Sequence, residues 1–326
     1  MKQATAIKIE PEEVTIRELE KNFFVRRSLF NNILTILAWA MAILACLPLF
    51  SVLIRLIIKG SQRLSWSIFA ELPPTAFEMG GGFGNAILGT VVMVGIAMVL
   101  SVPLGILAAV FLAELGPDSR IAAIARFSAK TLTGLPSILA GVFAYAAVVL
   151  LTGGYSAPAG GIALALLMVP TVMLTAEEAM KMVPRIMKDA AHGIGCTTSQ
   201  VVTKVILPTA MPGIITGVIL AVARAAGETA PLLFTALFSE YWLFQGGKAD
   251  IMQPTASLAV LIYNFSGMPY ENQIELAWTA SLFLVFMILV LNLISRAISQ
   301  RENSIVTMLM VIRKMIRKKP DQGETS

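Results

Sequence analysis

Uncharged apolar runs alternate with short polar segments along most of the chain, and their lengths predict helices that cross a membrane. A span needs about 20 mostly apolar residues at 1.5 Å per residue. Residues 33–54 give 22 without a charge, the first span. Residues 86–113 give 28, which leaves room for tilt or an extension, and Pro103 is placed to bend that helix. Residues 131–176 are 46 residues without a charge. Their centre, Thr152-Gly153-Gly154-Tyr155-Ser156-Ala157-Pro158, is turn chemistry, so the run divides into two spans joined by a tight loop. The fourth span is short, residues 160–176. A fifth begins near Pro208, passes Arg224 and is interrupted at Pro231, and residues 276–295 form the sixth. The pattern predicts an all-α integral membrane protein with six transmembrane helices.

The polar segments orient that model. Six spans place both termini on one side of the membrane. The segments assigned to the cytoplasm (1–32, 114–130, 177–204 and 296–326) carry 20 of the 25 Lys and Arg residues, against 4 in the outer segments. That bias places both termini inside. Three parts follow: a cytoplasmic N-terminal segment 1–32, a transmembrane domain 33–298 containing the polar loop 177–208, and a basic cytoplasmic tail 299–326. The tail cluster Arg313-Lys314 and Arg317-Lys318-Lys319 suits anionic lipid. The long outer segments 55–85 and 239–275 hold Trp66, Tyr241, Trp242 and Tyr263, positioned for membrane interfaces or an external partner.

Composition agrees, with 56% hydrophobic and 14% charged residues. The net charge of +5 reflects cytoplasmic loops rather than nucleic-acid binding. Cys46 and Cys196 read as free thiols. A single histidine, His192, leaves no basis for a metal or acid–base centre, and no catalytic site is expected. Gly80-Gly81-Gly82-Phe83-Gly84 lacks the Gly-Lys-Ser/Thr ending of a phosphate loop, and reads as a flexible entry to the second span. No Walker sequence occurs, so this chain is not expected to hydrolyse ATP by itself. Glu177 and Glu178 read as acids favourably placed at a helix start. Gly213 and Gly217 form a GxxxG pattern suited to close helix approach.

Two stretches carry sharper signals. In the loop 177–208, Gly193 and Gly195 can end one helix, and Thr197 with Gln200 has capping-box spacing for the next. In the fifth span, Arg224 and Glu228 lie four residues apart in an apolar segment, on one helix face. A charge at bilayer depth costs about 2.5–3.5 kcal/mol on insertion scales, so such residues face a cavity or a partner. An arginine fork fits an anion's oxygens. A structural ion pair that locks the span to a neighbour satisfies the same residues.

Asp189-Ala190-Ala191, three residues, Gly195, nine residues and Val205-Ile206-Leu207-Pro208 resemble the EAA loop of ABC importer permeases, with Asp for Glu and Val for Ile. Arg224-Ala225-Ala226-Gly227-Glu228-Thr229-Ala230-Pro231-Leu232-Leu233-Phe234-Thr235 resembles the signature of phosphate importer permeases. Gly81-Gly82, Gly89-Thr90 and Gly134-Leu135-Pro136-Ser137 extend the likeness over residues 80–242. The resemblance implies a type I ABC importer permease (MetI-like) fold with a cytoplasmic coupling helix. It implies that Arg224, Glu228 and Thr229 lie on the substrate pathway. It implies that Asp189, Ala190, Ala191, Gly195, Leu207 and Pro208 couple to an ATPase. The implied partners are a homologous second permease, an ATPase dimer that binds the ATP and magnesium, and an external phosphate-binding protein. Members of the family often carry a second arginine in the fourth span, where this chain has Leu174. The alternatives are a permease for sulfate or molybdate, the other permease of the same importer, or an ion-coupled secondary transporter. An intramembrane enzyme would need HExxH or paired membrane aspartates, and the sequence has neither.

Overall fold

A computed structural model describes the backbone of residues 26–245 and 248–317. Eleven helices can be followed among the described residues. They are α1 (Arg26–Gly60), α2 (Ser67–Ala70), α3 (Gly84–Leu115), α4 (Arg120–Gly134) and α5 (Ser137–Thr152), then α6 (Ala157–Lys181) and α7 (Arg185–Gly193). After these come α8 (Thr198–Ala226), α9 (Ala230–Thr235), α10 (Leu258–Ser266) and α11 (Glu271–Arg317). One two-residue antiparallel pairing, Phe244–Gln245 with Lys248–Ala249, is the sole strand structure among the described residues.

Five helices are long and apolar enough to cross a membrane, and α4 with α5 makes a sixth candidate bent by 104°. That bend corrects the third span. Leu135 precedes Pro136, is held extended (φ −74°, ψ 146°) and cannot continue α4. Residues 131–134 therefore belong to α4, a separate helix capped by the Ser119 hydroxyl, which accepts from the Ala122 N–H. The fourth span, α6, starts within the turn chemistry but is not short: it runs from Ala157 to Lys181, beyond the expected 160–176 at both ends. Ser156 caps it and Pro158 sits in its first turn. The sixth span is longer than its apolar run, continuing as α11 from Glu271 to Arg317. The segment 1–25 and residues 318–326 lie outside the described residues.

Residues up to Arg55 form one unit and residues from Leu56 a second. The described part of the first is most of α1. Its apolar side chains are exposed, Trp39 at 68% and Leu44 at 59%. At 1.5 Å per residue this 35-residue helix runs about 52 Å. Such a surface is stable in hydrocarbon rather than in water.

In the second unit α3 and α6 form the most extensive helix pair. Small residues let them close up. A Cβ on Gly161 would lie 2.6 Å from Ile96, and one on Gly105 2.7 Å from Val172. Met93, Leu164, Met168, Ala221, Ala225 and Leu232 make the buried centre. A second cluster of Ile68, Phe83, Leu258, Leu261, Phe265 and Leu276 closes the end where α3 begins. Here the segment 239–275 is not a simple loop. It contains α10, which is buried at Leu258, Ala259, Val260, Leu261 and Phe265 and capped by Ser257. Thr90 on α3 accepts from the Leu258 N–H, and Asn85 donates to the Ser239 and Tyr241 carbonyls. Trp66 (89%), Tyr241 (70%) and Tyr263 (61%) remain exposed.

The glycine run before α3 is packed rather than flexible. Cβ atoms on Gly82 and Gly84 would meet the Ile68 and Phe69 carbonyls at 2.3 and 2.2 Å. Gly213 and Gly217 face α6, where Cβ atoms would meet Ala179 at 2.8 Å and Thr175 at 2.3 Å. Cys46 and Cys196 are free thiols.

Candidate functional site

At the C-terminal ends of α3 and α6 the polar loop folds into a compact knob. Pro184 leads into α7, and Gly195 ends it in the left-handed region at φ +87°. The Cys196 N–H donates to the Ala191 carbonyl (3.1 Å) and the Gly195 N–H to the His192 carbonyl (2.9 Å). These two bonds make a Schellman C-cap, which satisfies carbonyls the helix would otherwise leave open. Gly193 takes no such conformation, so Gly195 alone ends the helix. The next helix starts in a complete capping box, the Thr197 hydroxyl accepting from the Gln200 N–H and the Gln200 side chain accepting from the Thr197 N–H. α8 then runs through a π-helical turn, Val202–Ile206, into the fifth span without interruption. The knob and the span are therefore one mechanical element.

Ala191 is buried with Met180, Val183, Val201, Val202 and Ile206, which pins α7 against α6 and α8. Asp189, Ala190, Gly195 and Pro208 are exposed, and Leu207 is half-buried. Beside them Ile186 (76%), Met182 (75%) and Ile194 (83%) present apolar side chains to the outside.

Three ion pairs hold the knob, and only one of them, Glu177 with Lys181 at four residues' separation, is within reach of residue spacing. Lys188 on α7 pairs with Glu114 at the end of α3, and both are largely buried. Glu177 is 3% exposed and lies in the last turns of α6, not at a helix start. The helix dipole is unfavourable to an acid there, so dipole placement is not its role. Instead Arg126 Nε donates to Glu177 Oε1 (2.6 Å), and Lys181 Nζ pairs with the same oxygen (2.5 Å). The remaining guanidinium nitrogens of Arg126 donate to the Pro117 (2.9 Å) and Leu112 (2.7 Å) carbonyls. The available signal was an acid at the edge of each of two long uncharged runs, Glu114 and Glu177.

The other end of α8 is built differently. The helix stops at Ala226, so the break falls at residues 227–229 rather than at Pro231. Pro231 sits in the first turn of α9, where its missing N–H leaves no carbonyl unsatisfied. Arg224 and Glu228 therefore do not share a regular helix face. Glu228 lies in the break and its carboxylate meets Arg224 Nε at 3.5 Å. The arginine side chain is 52% exposed and the glutamate 16%. Both line an open pocket of about 390 Å³ with Leu220, Ala223, Gly227, Ile288 and Asn292. Thr229 is half-buried at the start of α9, where its carbonyl accepts from the Leu232 and Leu233 N–H groups, and it does not line the pocket. Gly141 on α5 packs on the first turn of α9, just beyond the break, since a Cβ there would lie 2.7 Å from Pro231 Cα. Leu174 packs against Leu112, Ala122, Ala129 and Met173, away from these groups.

A family model, "Binding-protein-dependent transport system inner membrane component", matches residues 101–303, more than half of the chain and including both the knob and the break. The chain belongs to that family. It is thus a transporter's membrane component and not an enzyme. The permease is 36% identical over 286 residues to the phosphate transport system permease protein PstA of Yersinia pestis, covering 88% of this chain and 95% of the relative. It is 33% identical over 279 residues to PstA 1 of Mycobacterium tuberculosis (strain CDC 1551), covering 82% and 88%. Among solved structures it resembles a bacterial alginate ABC transporter chain (TM-score 0.58, 14% identity, 86% of this chain and 98% of that one). It also resembles a chain of the MetNI methionine ABC transporter in an inward-facing conformation (TM-score 0.53, 18% identity, 68% and 94%). These likenesses carry the MetI-like fold expected from the EAA loop.

Proposed function

We propose that this permease is the PstA-type subunit of an ATP-driven phosphate importer. The observation that carries the reading is 36% identity to PstA over nearly the whole of both chains. The chain forms one half of the translocation pathway, and a homologous PstC-like permease forms the other. A PstB-like ATPase dimer binds the ATP and magnesium, and a PstS-like binding protein delivers phosphate. The subunit lies in a bacterial or archaeal cytoplasmic membrane with both termini inside, as the distribution of Lys and Arg favours.

In this reading the knob 185–208 docks in a groove of the ATPase. Met182, Ile186 and Ile194 supply apolar contacts around Asp189 and Ala190. Closure of the ATPase dimer pushes the knob, and α8 transmits the movement along its length to the break at residues 227–229. Arg224 offers its guanidinium to the oxyanion in the open pocket. Glu228, tethered at 3.5 Å, holds that guanidinium between visits of the anion. The loose pair suits this use, because phosphate can reach a half-exposed guanidinium and displace a carboxylate 3.5 Å away more readily than one locked in a bidentate bond.

The test is the ATPase activity of the complex reconstituted with its binding protein, first with phosphate and then with sulfate. Stimulation by phosphate alone is expected. Stimulation by sulfate alone would keep the architecture and overturn the substrate. An ion-coupled transporter would be recovered without an ATPase and would keep transporting when the knob is disrupted.

A further inference from the structure

At the opposite end from the knob, the loop between α2 and α3 is braced more heavily than a passive connection needs. Arg63 donates to the Asn272 carbonyl (2.8 Å), to Asn272 Oδ1 (2.5 Å) and to the Gly80 carbonyl (2.7 Å). Asn272 Nδ2 donates to the Glu78 carbonyl (2.6 Å), and Gln273 to the Pro74 carbonyl (3.0 Å). The Thr75 N–H and hydroxyl both donate to Glu78 Oε2 (2.9 and 3.0 Å). Those bonds hold the Glu78 carboxyl below the usual carboxylate range, the backbone bond first and the hydroxyl second, so it stays charged.

This brace presents an apolar tip. Phe77 and Met79 are each 87% exposed. Phe77 is also held at φ +67°, a left-handed conformation that is an outlier for a bulky residue, with the Tyr270 ring edge-on at 4.9 Å. A conformation this costly persists where surrounding bonds over-determine it, and such residues cluster at sites of binding.

Charge decides the occupant. Asn272 precedes Leu276, where the uncharged run of the sixth span begins, by four residues, or about 6 Å along the helix. The tip thus stands outside the hydrocarbon. Glu71, Glu78, Glu271 and Glu275 belong to the same loop and to the first turns of α11, while Arg63 is engaged in the brace. An acidic surround is repelled by anionic headgroups, which argues against a bilayer as partner. It suits a protein with an apolar pocket and a Lys/Arg rim, in which an aromatic anchor supplies affinity and the charges supply steering. We propose that Phe77 and Met79 are the anchor by which the solute-binding protein docks on this subunit, its basic rim meeting the glutamates around the tip. The proposal rests on the importer reading above, including its orientation.

The experiment measures the affinity of the purified binding protein for the complete importer in nanodiscs of phosphatidylethanolamine and phosphatidylglycerol, and its stimulation of ATPase activity. Phe77→Ser with Met79→Ser weakens affinity at least tenfold, and saturating binding protein restores stimulation. Asn272→Ala, which loosens the brace and leaves the tip, gives a smaller loss. Trp66→Ser, equally exposed at the same end but outside the loop, leaves affinity as it was. Subunit stoichiometry after purification verifies that each variant assembles. Wild-type affinity in the double variant would overturn the proposal, as would loss in Trp66→Ser without loss in the double variant. The binding protein is the one that co-purifies with the importer, whatever its solute. Failure of phosphate to stimulate the wild type would therefore overturn the substrate and leave the docking comparison standing.

Discussion

The two ends of α8 solve opposite problems. At its start, the two termini that meet at the turn are capped: a Schellman motif closes α7, a capping box opens α8, and Ala191 and Ile206 are buried between them. At its finish the helix simply breaks, with Glu228 in the gap and a half-exposed Arg224 at 3.5 Å beside an open pocket. A part that transmits force must not deform, so its turn is closed by caps and its apolar side chains are buried. A part that exchanges one anionic partner for another must stay loosely held. The lesson is that one continuous helix can carry both, because cap chemistry acts only over a terminal turn.

The comparison breaks most sharply at Arg224. Arg224→Ala is expected to lower uptake of radiolabelled phosphate by about two orders of magnitude, the upper end for losing a charge-assisted bond worth ~3 kcal/mol. The complex should still assemble, and Arg224→Lys should keep part of the activity because it keeps the charge but not the fork. Normal transport by an assembled Arg224→Ala complex would remove the pathway role.

Gly195→Pro attacks the rigid end. Proline is fixed near φ −65° where the backbone requires +87°, and it deletes the N–H that bonds His192. Backbone strain of ~1–3 kcal/mol should cut coupled ATPase activity about tenfold or more, with phosphate still loading the binding protein normally. A variant that transports at wild-type rates would show that the knob need not be rigid.

Glu177→Gln sharpens the contrast by weakening the support beneath the knob. It leaves Arg126 its two carbonyl bonds but removes the shared charge partner of Arg126 and Lys181. A loss of about 1–3 kcal/mol is expected. It would be read as a lower thermal midpoint of the purified complex, with a partial fall in coupling and no change in anion selectivity. The smallest effect belongs to Thr197→Ala, which deletes one cap worth ~1 kcal/mol. Hydrogen exchange at Gln200 and its neighbours should quicken while uptake stays near normal.

The legible parts of the site were those written in local chemistry. The loop from Asp189 to Pro208 was readable because cap, turn and helix all depend on neighbours within a few residues, and the capping box at Thr197 formed as its spacing predicts. Arg224 stood out because a charge in an apolar run has few explanations. Other features were misplaced for equally physical reasons. The break was assigned to Pro231, but proline is well tolerated in a helix's first turn, and the interruption came at Gly227. The glycine run at 80–84 suggested flexibility, whereas the contacts that demand glycine there come from the Ile68 and Phe69 carbonyls.

The sequence by itself determined the class of protein, the existence of its spans and the two stretches that matter. Length and apolarity alone decide what can cross hydrocarbon, and capping depends on residues three or four apart. Only the tertiary structure decided the burial of α10 and the seating of Gly141 against Pro231. It alone decided the long-range ion pairs and the Arg63 brace as well. Arg126 and Glu177 are 51 residues apart, Lys188 and Glu114 are 74, and Arg63 and Asn272 are 209. Periodicity carries no memory across such distances. Which charges meet is set by how close small residues let the helices approach, and that is a property of the packed bundle.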